Sequence, residues 1–169
     1  MSKNSAKRAP VEKPPVVLKQ KMAKPISAYT DPAALRTLMQ NAKRMGRDDI
    51  WREAFLRLCS LEGAEQTDPL HRDFHEMLAA YEQLLSEKNG RATRASRTRM
   101  KLKAKGVVAS LEDLVKSKEP TEGFELLVAS NFVEMTGEQI VLKYSDQFSP
   151  EAVAAAKTRL AAAAPVTED

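Results

Sequence analysis

Three groups of residues have side-chain types and spacings that can do chemistry. The largest fills residues 88–106, "KNGRATRASRTRMKLKAKG", with eight Lys or Arg and no Asp or Glu. Guanidinium forks match a phosphate or a guanine edge with two parallel hydrogen bonds. Thr93, Ser96 and Thr98 are interleaved short donors of the kind that reach phosphate oxygens. The second group is His71 and His75 in "HRDFH", four residues apart, as two zinc ligands on one helical face would be. The metalloprotease pattern needs Glu directly after the first His, and Arg72 stands there instead. No cysteine pair completes a structural zinc site, so no metal is assigned. The third group, Glu112, Asp113 and Lys116, carries nuclease-like side-chain types. A helix-capping pattern accounts for their clustering, and nuclease sites usually gather such groups on strands. With no Gly-rich phosphate loop and no nucleophile–base pair, no catalytic residue and no cofactor is assigned, and the chain reads as a binding protein rather than an enzyme.

The basic segment carries the functional reading. Like charges three and four residues apart on a helix repel, and ordinary solvated faces mix signs. Eight unopposed positives therefore ask for a polyanion. The leading expectation is a non-enzymatic, regulatory or nucleoid-associated nucleic-acid-binding protein, with duplex DNA favoured over RNA and over single strands. The contacts expected are Arg91, Thr93, Arg94, Arg97, Thr98, Arg99, Lys101, Lys103 and Lys105. The alternative is a protein–protein adaptor whose basic strip docks an acidic partner. A membrane partner is not expected, because a surface-lying helix needs a broad apolar face with bulky anchors.

The elements that position these residues follow from charge and periodicity. The net charge of +4 conceals +6 on residues 1–29, +8 on residues 88–105 and −10 on the rest, so two basic elements sit on an acidic body. Residues 1–29, rich in Pro and Lys and including Pro14-Pro15, are expected to be a disordered arm that adds phosphate affinity without reading sequence. Residues 30–88 are expected to form three helices. Asp31-Pro32 opens the first, with Leu35, Leu38, Met39, Ala42 and Met45 at helical spacing. Asp48 opens the second, completing an αα-hairpin over 31–62 with Trp51 as core anchor and Cys59 as a small core residue. Asp68-Pro69 opens the third, which ends at Asn89-Gly90.

Residues 89–106 are expected to hold a basic helix over 91–105 that projects from the body. With the third helix it makes a helix-turn-helix-like pair that would place the basic helix in the major groove. Residues 107–163 are expected to hold three or four short helices, one opened by a capping box at Ser110 and Asp113, and residues 164–169 a frayed tail. A helix-turn-helix over 110–130 with a wing is disfavoured, because its second helix holds Glu122 and Glu125 and no Lys or Arg. Residues 132–144 read as helix, through a capping box at Thr136 and Gln139, or as a small β-hairpin; helix is preferred. The fold class expected is all-α. Nothing reads as a membrane span or a secretory signal, and the lone Cys59 cannot form an internal disulfide, so the expected setting is the reducing cytoplasm.

Overall fold

The computed structural model describes residues 24–164. Seven α-helices account for most of them: α1 Pro32–Arg44, α2 Asp48–Gly63, α3 Pro69–Asn89, α4 Ser96–Val115, α5 Glu122–Ala129, α6 Gly137–Lys143 and α7 Pro150–Ala163. Single 3₁₀ turns occupy Ile26–Ala28, Val133–Met135 and Ser145–Gln147. The protein is all-α, with no strand among the described residues. The stretch 132–144 resolves as the 3₁₀ turn and α6, so the hairpin alternative is not formed and no wing follows α5.

The helix starts obey local capping chemistry. Asp31 accepts from the Ala33 N–H, Asp68 from His71, Thr121 from Phe124, Thr136 from Gln139 and Ser149 from Ala152. Each satisfies a donor that the first turn leaves unpaired. Proline stands at the start of α1, α3 and α7, where its missing N–H costs nothing. Gly90, in the left-handed region at φ 65°, ends α3.

The three-residue link 45–47 turns α2 back along α1, and α3 packs on α2. α3 also meets α5 and α6, while α6 pairs with α7 and with α4. One core runs through both halves, from Leu35 and Phe55 through Phe74 and Leu78 to Leu111, Val141 and Ala156. Part of it is aromatic. Phe132 is fully buried and stacks on Phe55 at 4.4 Å between ring centroids; Trp51 lies 5.1 Å from Phe55, and the Arg52 guanidinium covers Phe132 at 4.2 Å. Cys59 is buried here, and burial pushes its thiol well above the usual range, so it behaves as a small apolar residue.

Three expectations need correction. Met45 is 71% exposed, because α1 ends one residue before it and its side chain leaves the apolar stripe. Residues 24–29, assigned to the arm, pack on the body: Ile26 and Tyr29 lie against the core, and the Tyr29 carbonyl accepts from Arg57 Nε at 2.9 Å. The remainder of the arm, residues 1–23, and the tail residues 165–169 lie outside the described residues. Ser110 caps nothing; it is buried inside α4, its hydroxyl without a hydrogen-bond partner among the described residues. The break lies earlier, at Gly106, whose φ of 80° and ψ of −179° interrupt the helix.

That conformation belongs to glycine almost alone. Gly106→Ala is expected to lower stability by about 1–3 kcal/mol, although a methyl group would meet no neighbouring atom. A urea midpoint equal to that of the wild type would show that the kink is not held in solution.

Candidate polyanion-binding site

The basic segment begins as a loop, not a helix. Six residues, 90–95, separate α3 from α4, so Arg91, Thr93 and Arg94 precede the first helical turn. This connection is longer than the three- or four-residue turn of a helix-turn-helix. Local bonds shape it. The Ser86 hydroxyl accepts the Thr93 N–H at 2.8 Å, and the Thr93 hydroxyl donates to the Arg91 carbonyl at 2.9 Å. Thr93 is thus part of the loop's own framework.

Glu82 of α3 fixes where α4 starts. Its Oε1 accepts the Ala95 N–H at 2.8 Å, and the carboxylate takes Arg99 Nε at 2.6 Å and Nη2 at 2.7 Å. Burial works against the charge of Glu82, but Arg99 and the Ala95 N–H outweigh it and hold the carboxyl below its ordinary range. Arg99 is therefore bound to the body rather than presented outward. Leu102, one turn further, lies against the core. The segment is thus anchored along one side, while residues 103–106 are exposed.

Three more of the eight cations meet internal carboxylates. Lys88 pairs with Glu122 at 2.8 Å. Lys101 and Lys105 reach across the Gly106 kink to Asp113, at 3.6 Å and 2.5 Å. The Lys105 ammonium holds the Asp113 carboxyl below its ordinary range. Asp113 is consequently engaged with two lysines. Glu112 accepts Lys116 Nζ at 2.7 Å and the Ser149 N–H at 2.8 Å, tying α4 to the start of α7.

Arg91, Arg94, Arg97 and Lys103 are exposed and make no ion pair or side-chain hydrogen bond among the described residues. Three of them line two adjoining clefts. The first, about 750 Å³, lies between α1, α3 and the loop and includes Arg36, Arg91 and Arg94. The second, about 500 Å³, lies between α3, the start of α4, α5 and α6 and includes Arg94, Arg97, Thr98 and Lys101. Arg94 belongs to both; Glu62, Glu82 and Glu87 also line the first cleft, and Glu122 and Glu138 the second. No side chain caps the first turn of α4, whose residue Ala95 offers no acceptor.

The structure thus divides the nine expected contact residues. It groups Arg94, Arg97, Thr98 and Lys101 around one cleft, although Lys101 also pairs with Asp113, sets Arg91 at the other cleft, leaves Lys103 open to solvent, and draws Thr93, Arg99 and Lys105 into internal bonds. Sequence reasoning missed Glu82 and Asp113 as partners, and Arg36 as a neighbour from α1. His71 is exposed and His75 half-buried edge-on to Phe74; among the described residues no group of three potential ligands forms around them. No described helix is long and apolar enough to cross a membrane. No family description, curated protein or solved structure matches the chain.

Glu82→Gln is expected to cost about 1–3 kcal/mol at neutral pH, since a charge-assisted pair is lost. The folded pKa of Glu82 lies below its unfolded value, so its contribution is present above the unfolded pKa and fades as pH falls through the folded one. The urea stabilities of the variant and the wild type should therefore converge in acid. A gap that persists unchanged at low pH would mean that the charge on Glu82 is not what matters.

Proposed function

We propose that this is a non-enzymatic nucleic-acid-binding protein of the cytoplasm that contacts the phosphate backbone of duplex DNA through Arg91, Arg94, Arg97 and Lys103. One observation carries the reading: these four cations stay unpaired beside a body rich in carboxylates, while their neighbours in the same segment are neutralised. Exposed like charges at this density repel one another, and phosphates relieve that repulsion. The arginines also have the geometry that phosphate oxygens accept bidentately. Contacts of this kind position a protein on DNA without reading sequence, which fits a nucleoid-associated or accessory regulatory role. A regulator that reads bases through a helix-turn-helix is less well supported, because the α3–α4 connection is long and Arg99 faces the body. Lys101 and Lys105 join the contact set only by exchanging Asp113 for phosphate.

The number of contacts sets a measurable slope. Neutralising four phosphates gives log K against log salt a slope of about −3.6, at about −0.9 per phosphate. Fluorescence anisotropy with a mixed-sequence duplex should give that value, and the Arg94→Ala/Arg97→Ala variant should be shallower by about 1.8. Binding that ignores salt, or a variant indistinguishable from the wild type, would favour the docking of an acidic protein partner instead.

A further inference from the structure

The cleft behind Arg94 and Arg97 has a lining that phosphate contact alone does not use. Met77 and Leu127 give it apolar walls, with the rings of Tyr81 and Phe124 beside them. Gly123 lets α5 come within 3.3 Å of the Tyr81 ring, measured from where a Cβ would stand. Two carboxylates share the same lining. Glu122 is exposed, and Glu138 is 3% exposed and accepts Arg159 Nη1 at 2.9 Å. A carboxylate accepts about four hydrogen bonds, so both keep acceptor capacity.

The lining therefore combines cations, apolar walls and acceptors within about 500 Å³, a size that encloses a small organic group. An acyl chain with an anionic head offers nothing to donate to the carboxylates. The carboxylate of an acidic peptide offers neither a flat face to the apolar walls nor a donor to Glu122 and Glu138. A nucleotide has all three complements: a phosphate, flat apolar faces, and exocyclic amines that donate to carboxylates.

We propose that this cleft receives the base of an unpaired nucleotide whose phosphate lies on Arg94 and Arg97. The inference rests on the nucleic-acid reading above and adds to it a preference for bulged or extruded bases. Extrusion costs least where the base is already unpaired.

Three duplexes test it with the full chain: one fully paired, one with a single bulged adenine, and one with an abasic residue at the bulge. The abasic probe keeps the bend and the phosphate and removes the base. Anisotropy titrations should show the adenine bulge bound about tenfold more tightly than the abasic bulge. Ser96→Trp, at an exposed lining residue, should bring that ratio to about one by filling the mouth, and Thr98→Trp should do the same from two residues further on. Helical circular dichroism checks that each variant is folded. If the paired duplex binds with a steep salt dependence but the two bulges bind equally, the base pocket is wrong and the phosphate reading stands. If the ratio survives both tryptophans, the base is held elsewhere. If none of the three probes binds, the nucleic-acid reading itself falls.

Discussion

The site depends on one carboxylate. Glu82 stands on the long central helix and gathers Arg99 and the Ala95 N–H onto the same group. These bonds hold the segment non-helical through residue 95, with the helix starting at Ser96. That boundary puts Arg91 and Arg94 on a loop and Arg97 on the first turn, flanking two clefts with Arg94 between them. Without Glu82, Arg99 would lose its carboxylate partner, and the Ser86–Thr93 bonds and the packing of Leu102 would be left to register α4 against α3. The Glu82 pair is only partly exposed, with 33% and 14% of the two side chains accessible, so solvent and salt screen it less than a pair on the open surface.

The remaining helices hold that arrangement in place. Phe132 and the rings around it join the α1–α3 half to the turn before α6, and Arg159 of α7 is a second cross-brace. Its guanidinium donates to Glu138, to the Leu114 carbonyl and to the Ser117 carbonyl. Burial pushes the Glu138 carboxyl up while Arg159 opposes that rise. A buried charge left without its partner is costly, so the end of α4, the start of α6 and the middle of α7 are held as a unit. The two sets of bonds act on opposite ends of α4, with the Gly106 kink between them. That kink also brings Asp113 within reach of Lys101 and Lys105, eight or more positions earlier in the chain.

What could be read from the sequence was what local chemistry decides. Asp31-Pro32 and Asp68-Pro69 mark helix starts because the capping side chain and the donor it satisfies lie within three residues. The apolar spacing of α1, α2 and α3 identified most of their buried faces. Residues 132–144 were ambiguous because short apolar runs fit both periods; packing of Ile140 and Val141 into the shared core selects helix. The start of α4 was not legible, because Glu82 acts on it from 13 and 17 residues away. The pattern at Ser110 and Asp113 misled for a related reason: a glycine four residues earlier had already set the helix start, leaving Ser110 inside and Asp113 free to meet lysines. The repulsion argument treated all eight cations of the basic segment as unopposed, yet four of them meet carboxylates of the chain itself.

The central claim is that the basic segment is split into cations neutralised within the fold and cations held open for phosphate. Arginine side-chain Nε–H signals, followed by NMR during titration with a short duplex, test this directly. Arg99 should exchange slowly with solvent before DNA is added and change little afterwards. Arg91, Arg94 and Arg97 should exchange quickly at first, then shift and gain protection with the duplex. The account is contradicted if Arg99 is as labile as its neighbours in the free protein, or if it is Arg99 whose signal moves while Arg94 and Arg97 stay where they were.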